Sequence, residues 1–424
     1  MIRAGVCVID ITPPAGLAMS GFAARSGPAQ GAHDPLTVRA LVVEDTALVC
    51  VDVIGIDAAM SRRAREACGL PAEAVTITAL HTHGGPVSMP GRLSAEADAA
   101  WLARLEAGIV AAIDTAHAAR EPVTLHGGTA EDPGFAHNRR HADGPLDAGL
   151  PVLRFDRPDG SVLAILCSYA CHPVVLGADN LMWTADYPHF LRTALEDALP
   201  GAVAVFATGC AGDINTGHTA AASLTSAPQD KRSFAEAERV GAGLAAAVLG
   251  AGLTPLATGT AAAEAYAEIG FERREPAPLP ELAARWAEEA AEAEGVRKHL
   301  LDVWSRWAEA SATDPLAPLT ERVTALDWGG ARILGLPGEI FSATALELRA
   351  RLPERPGAPS FVLAYADDNP GYIPPRAEYP FGGYEVDEAH RFYGLPAGFA
   401  PGSAENLAEA ARAALDASGA GGGS

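Results

Sequence analysis

Three apolar runs that stop abruptly at histidine or glycine constrain this chain more than any other feature. Ala74–Leu80 (AVTITAL) runs into His81-Thr82-His83-Gly84-Gly85-Pro86, and Val162–Ala170 runs into Cys171-His172-Pro173. Ala202–Ala207 runs into Thr208-Gly209-Cys210-Ala211-Gly212-Asp213-Ile214-Asn215. Short apolar runs rich in β-branched residues and closed by turn formers read as buried strands. Stretches with helical spacing lie between them: Ser61–Cys68, Ala95–Ala119, Tyr187–Ala198 and Phe234–Leu249. Strands interleaved with helices predict a mixed α/β fold, not separate α and β domains.

The same reading gives strands at Arg39–Glu44, Ala47–Asp52, Thr124–Thr129, Val152–Phe155, Val323–Trp328, Ala331–Leu336 and Phe361–Tyr365, and a helix at Ile340–Arg351. Pro280–Ala310 reads as a long helical element or a pair broken near Gly295, with Trp286, Trp304 and Trp307 as packing residues. Ala366–Tyr393 is loop-like and rich in Gly, Pro and Tyr; long structureless stretches in a folded domain are usually functional. No Pro/Gly/Ser-rich linker divides the chain, so one catalytic domain is expected over 1–417, with 418–424 a disordered tail or linker.

With 49% hydrophobic and 20% charged residues, the chain is a packed globular protein. Its 31 basic and 53 acidic residues leave a formal charge of −22, which repels phosphate backbones and anionic lipid. The expected partner is therefore a small-molecule substrate, with no nucleic acid and no membrane span, and oligomeric state is not readable. The opening MIRAGVCVIDITPP lacks the pattern of a signal peptide, and the six cysteines lie mostly in apolar runs. A cytoplasmic protein with reduced thiols is the expectation.

The chemistry is concentrated where strands end. Histidines at i, i+2 beside turning glycines (His81, His83) can offer one imidazole to a metal and another to substrate. His172 delivers a third from a second strand end. Adjacent residues on a strand face opposite ways, which argues against a Cys171–His172 nucleophilic dyad. Glycines at 209, 212 and 217 allow close backbone approach beside Asp213 and Asn215, without the Gly-Lys-Ser/Thr of a phosphate loop. Glu339 follows a buried strand at a helix start, where a carboxylate is also an ordinary dipole-favoured choice. Arg139, in Asn138-Arg139-Arg140-His141, could bind an anion or polarise a carbonyl.

In this order the motifs resemble the catalytic N-terminal domain of the neutral/alkaline, non-lysosomal ceramidases. The resemblance runs from AGVCVIDITPP and HDPLTVRALVVED through HTHGGP, NRR, CHP, GDIN, LPGE and the GYIP…Y…GGYE loop. It implies a layered sandwich of mixed β-sheets flanked by helices. It also implies one Zn²⁺ held by His81, His172, Glu339 and Tyr372, with His83 near the metal, Arg139 polarising the substrate and Tyr384 as the second tyrosine of the loop. The chain departs from the family at two serines. Asn215 and Thr216 stand where the ceramidases have Ser-Pro, that serine being their proposed nucleophile, and Gly84 replaces the serine of the HTH motif. The family's immunoglobulin-like C-terminal domain would need roughly one hundred further residues.

The function expected is a zinc-dependent hydrolase that uses metal-activated water on an amide or ester of a polar or moderately sized substrate rather than ceramide. Tyr384, Arg139 or Asn215 would steady the oxyanion, and His83 or Asp213 would move protons. The alternatives are a metal-assisted lyase or isomerase acting on a sugar or hydroxy acid, and a non-catalytic metal- or ligand-binding protein.

Overall fold

The computed structural model describes residues 1–93, 97–219, 225, 227, 229–353 and 355–419. Its largest sheet runs, edge to edge, Val203–Thr208, Val162–Tyr169, Leu150–Asp156, Glu121–Ala130, Ile2–Asp10, Thr37–Val43, Thr46–Val51 and Val75–Ala79, with Thr254–Pro255 pairing off Glu121–Ala130. The two outermost pairings are parallel, whereas Ile2–Asp10 is antiparallel to both its neighbours. A second mixed sheet has the order Thr260–Ile269, Leu319–Trp328, Ala331–Gly335, Ser360–Leu363.

Strand alternation explains the layering. Leu41 and Val43 point into a cluster with Leu326, Trp328, Ile333 and Phe361, which joins the two sheets face to face. Val38, Ala40 and Val42 point the other way, toward Leu105, Ile109 and Ile113 of the helix Ala99–Ala118. Helices Tyr187–Ala198 and Phe234–Leu249 cover the far end of the large sheet through Leu191, Val240 and Leu244. Helix Ser403–Ala417 covers the outer face of the second sheet. The expected layered α/β sandwich of mixed sheets is thus the fold observed.

Two differences from the sequence reading matter. The strand Thr260–Ile269 and the helix Ser403–Ala417 escape it, because the first is alanine-rich and half-exposed, with no run of β-branched residues, and the second has only Leu407 and Leu415 as large apolar residues to mark its buried stripe. The tyrosine-rich loop is not structureless: it holds a short strand, Tyr372–Ile373, and a succession of single helical turns from Arg376 to Phe392. Of the two readings of 280–310, the pair broken near Gly295 is the one observed, Leu279–Glu292 and Gly295–Ser311, with its own small core that includes Trp286 and Trp307. All six cysteines are free, and no helix among the described residues is long and apolar enough to cross a membrane. Of the expected tail, Ser418 and Gly419 follow the last helix and 420–424 lie outside the described residues. Parts of the loops at 84–100 and 216–230 also lie outside them.

The segment after Ser360–Leu363 brings the sheets together. Leu363 bridges to Gly209 and Ala366 to Thr78, so one stretch of backbone touches the ends of both edge strands of the large sheet. The Thr208 hydroxyl closes the same junction by donating to the Leu80 carbonyl at 2.7 Å. The histidine-bearing strand ends converge there.

Candidate metal centre

His81, His83 and His172 offer ring nitrogens that all lie within 4.8 Å of one another, a group that could hold a metal ion. Each reaches this point from a strand end. His81 follows Val75–Ala79 in the left-handed region, φ 66°, a conformation a non-glycine residue keeps only where its surroundings enforce it. Its ring stacks on Tyr365, centroids 4.1 Å apart, and Tyr365 itself has φ 57°.

Second-layer hydrogen bonds set the tautomers. His81 Nδ1 lies 2.6 Å from the Ile54 carbonyl, and His172 Nδ1 lies 2.5 Å from the Ala211 carbonyl. A carbonyl can only accept, so each Nδ1 carries the proton and each Nε2 presents a lone pair inward. Between them lies Glu339, whose Oε2 is 3.2 Å from His81 Nε2 and 3.0 Å from His172 Nε2. All three side chains are about 1% exposed. Burial by itself would raise the Glu339 carboxyl, but the two imidazoles beside it hold it well below the usual carboxylate range. Burial pushes the His172 imidazolium down to about 4, and drives His83, crowded by His81 and His172, well below its ordinary value. A divalent metal requires neutral imidazoles and an ionised carboxylate, and the shifts of His172, His83 and Glu339 run in that direction.

The donor set passes a test on its orphaned atoms. His81 Nε2 and both ring nitrogens of His83 are buried and make no hydrogen bond to protein. Buried polar groups are rarely left unpaired without a functional cause. An ion at this point would satisfy His81 Nε2, and the free nitrogens of His83 remain for a bound molecule.

The short strand Glu339–Ile340 pairs in parallel with Tyr372–Ile373, with Glu339 opposite Tyr372, so two of the residues implied as ligands share one register. Tyr372 OH accepts from Arg139 Nη2 at 3.0 Å, and its ring lies 6.5 Å from that of His172. Arg139 is not a surface turn residue. Its guanidinium is buried, fixed by Glu385 Oε1 at 2.9 Å and the Gly212 carbonyl at 2.9 Å. Glu385 also binds Arg140 at 2.6 Å, so one carboxylate orients both arginines. Tyr384 stands next to Tyr372, ring centroids 5.8 Å apart, and burial raises its hydroxyl above the ordinary tyrosine range.

Asp213 and Asn215 sit near this group with their polar atoms engaged. Asp213 accepts from the Ser342 N–H at 2.8 Å and from Asn138 Nδ2 at 2.9 Å, tying the Arg139 loop to the helix Ser342–Arg351. Burial pushes its carboxyl up to about 6. Asn215 closes its own turn, accepting from the Gly217 and His218 N–H groups, both at 2.9 Å, and donating to the His218 carbonyl at 2.7 Å.

Sequence reasoning missed Tyr393, whose hydroxyl donates a very short hydrogen bond to Glu339 Oε1. It also missed Phe22, whose ring packs 4.7 Å from His83, and Glu385 as the arginine clamp. The GGYE motif held the one usable signal, for Glu385.

His83, Arg139, Tyr372 and Tyr384 line a cavity of ≈ 1010 Å³, whereas His81, His172 and Glu339 lie behind it. No protein-family model and no curated protein matches the sequence. Among solved structures the chain is similar to the neutral ceramidase from Pseudomonas aeruginosa, with TM-score 0.74 and 18% identity over 98% of this chain and 75% of that one. It is also similar to a ceramidase solved in complex with C2, with TM-score 0.72 and 19% identity over 98% and 74% of the two chains. The chain has the neutral-ceramidase fold.

Proposed function

We propose that this chain is a zinc-dependent hydrolase of an amide or ester bond in a polar or moderately sized substrate. One observation carries the reading: a buried His81–His172–Glu339 cluster with inward lone pairs opens, through His83, Arg139, Tyr372 and Tyr384, onto a cavity large enough for a small molecule. The likeness to ceramidases supports an acyl-transfer chemistry on this scaffold. His81, His172, Glu339 and Tyr372 would hold the ion, and when bound it supplies a Lewis acid for the carbonyl and an acidified water.

The remaining residues follow from their placement. Arg139, locked by Glu385, directs its charge at the cavity and holds a carbonyl oxygen as negative charge develops on it. The Tyr384 hydroxyl stays protonated and donates to the same oxygen. His83 is neutral, lacks a protein partner and faces the cavity, so it accepts the proton of the attacking water and returns it to the leaving group. Neither step needs a serine, in keeping with Asn215 and Gly84 at the family's serine positions. Six free thiols favour a reducing, cytoplasmic setting.

The deciding measurement is metal content by inductively coupled plasma mass spectrometry, on wild type beside His81→Ala and His172→Ala. It is followed by turnover of N-acyl and ester substrates in ¹⁸O-labelled water. The expected result is one zinc per chain, lost in both variants, and one labelled oxygen per turnover, carried by the acid product. A wild type that neither carries nor takes up zinc overturns the reading, and product free of label favours the lyase.

A further inference from the structure

Glu339 offers its two oxygens to different partners. Oε2 faces His81 Nε2 at 3.2 Å and His172 Nε2 at 3.0 Å. Both imidazoles keep a proton on Nδ1, against the Ile54 and Ala211 carbonyls, so Oε2 looks at two lone pairs. Three electron-rich atoms at that separation repel one another unless a cation lies among them. Oε1 instead accepts the hydroxyl proton of Tyr393, in a very short hydrogen bond. The carboxylate is thus divided, one oxygen given to a proton donor and the other left for an ion.

The place of Tyr393 is built from several sides. The residue is buried and closes the last helical turn of the tyrosine-rich loop, its N–H donating to the His390 carbonyl at 3.2 Å. Before it, the Phe392 carbonyl accepts from the Leu93 N–H at 2.7 Å; beyond it, the Leu395 carbonyl accepts from Trp307 Nε1 at 2.7 Å. Its ring rests on Gly371, φ 113°, where a Cβ would lie 3.0 Å from ring atoms Cγ and Cδ2. The Gly371 carbonyl also accepts from the Glu339 N–H at 2.8 Å. One piece of backbone therefore fixes both the ring of the donor and the main chain of the acceptor. Phe392 and Gly394, on either side of Tyr393, line the cavity, so this residue joins the cavity wall to the carboxylate. We propose that Tyr393 is the residue that positions Glu339 for the ion, holding Oε1 so that Oε2 is presented to the metal, and that a bound ion through this contact steadies the Phe392–Gly394 end of the cavity wall. The proposal rests on the metal reading of the same cluster, and not on which bond is cleaved.

The test is zinc affinity, measured by competition with a chromophoric chelator, on wild type, Tyr393→Phe and Tyr379→Phe. Phenylalanine at 393 keeps a ring on Gly371 and removes only the hydroxyl. Tyr379 is the matched control, because its hydroxyl also makes a single bond from the same loop, to the Phe399 carbonyl at 3.0 Å, and none to the cluster. Tyr393→Phe is expected to bind zinc roughly 10- to 100-fold more weakly, the usual effect of removing the hydrogen-bond partner of a metal ligand, with Tyr379→Phe unchanged. Hydrogen exchange, read by mass spectrometry on peptides spanning 386–395, should show protection added by zinc in wild type and less of it in Tyr393→Phe. Equal zinc affinity in wild type and Tyr393→Phe overturns the positioning role, and so does an equal loss in both variants, which would mark a general loosening of the loop. Zinc-dependent protection that is the same in wild type and Tyr393→Phe overturns the link to the cavity wall. A wild type that takes up no zinc sinks the metal reading and this proposal with it. Zinc bound normally by wild type and weakly by Tyr393→Phe, without hydrolysis of any substrate, sinks the hydrolase reading alone and leaves Tyr393 in its role.

Discussion

His83 and its neighbour Gly84 differ in what they do, although one motif carries both. His83 faces the cavity while His81 and His172 lie behind it with their tautomers fixed by carbonyls, so removal of His83 should separate chemistry from metal binding. His83→Ala is expected to keep its zinc and lose turnover by ~10²–10⁴-fold. Metal analysis and kinetics on the same preparation check this, and loss of zinc would make His83 a ligand. Gly84 is fixed by space: a Cβ there would sit 2.4 Å from the Thr184 carbonyl oxygen, whose own N–H donates to Gly84 O at 3.0 Å. Introducing a serine with Gly84→Ser should therefore cost about 1–3 kcal/mol in denaturant unfolding, the usual penalty of overpacking. Unchanged stability would mean that the two backbones can move apart.

Elements hold their places through a few buried polar contacts as well as through the core. The helix Tyr187–Ala198 is pinned to the large sheet by Arg192, whose Nη1 and Nη2 meet the Asp52 carboxylate at 2.7 and 2.9 Å, both side chains fully buried. Arg192→Met leaves Asp52 charged and buried with Thr37 as its remaining partner. Breaking such a pair typically costs about 3–5 kcal/mol. Urea unfolding of Arg192→Met should show a loss of that order, and Asp52→Asn added to it should recover part of the loss; an additive further loss would argue against pairing as the cause.

Across the whole molecule, Glu321 joins parts of the chain that are far apart in sequence. It lies on the strand Leu319–Trp328 of the second sheet, beside Asp368 of the tyrosine-rich loop and Arg92 of the segment after the histidine motif. Burial, reinforced by the Asp368 charge, pushes its carboxyl up to about 8. An unfolded glutamate ionises near ~4.3. Between these values the folded chain keeps a proton that the unfolded chain has lost, so the contribution is full at low pH and fades as pH rises toward 8. Wild type should therefore lose urea resistance relative to Glu321→Gln between pH 5 and 8. Parallel midpoints across that range would show that Glu321 is ionised in the fold.

The fold class and most of the candidate site were legible because their signals are local. An apolar strand that ends at His81 or His172 announces both the element and the residue it presents, and period-two alternation sorts Leu41 from Val42 without any partner in view. Motif order added Glu339, Tyr372, Tyr384 and Arg139. What the tertiary structure alone decided is which of these meet. His172 and Glu339 are 167 residues apart, and their contact depends on two sheets joined through the backbone at 363–366. The Ile54 and Ala211 carbonyls that set the tautomers, the Tyr393 hydroxyl on Glu339, and the burial of Arg139 leave no local periodicity to read. The same holds for the cavity, since Arg25, Arg306 and Arg391, which help to line it, are unremarkable residues in one dimension. They share a cavity because the helical pair at 279–311 folds back over the strand ends, a long-range packing that no window of sequence contains.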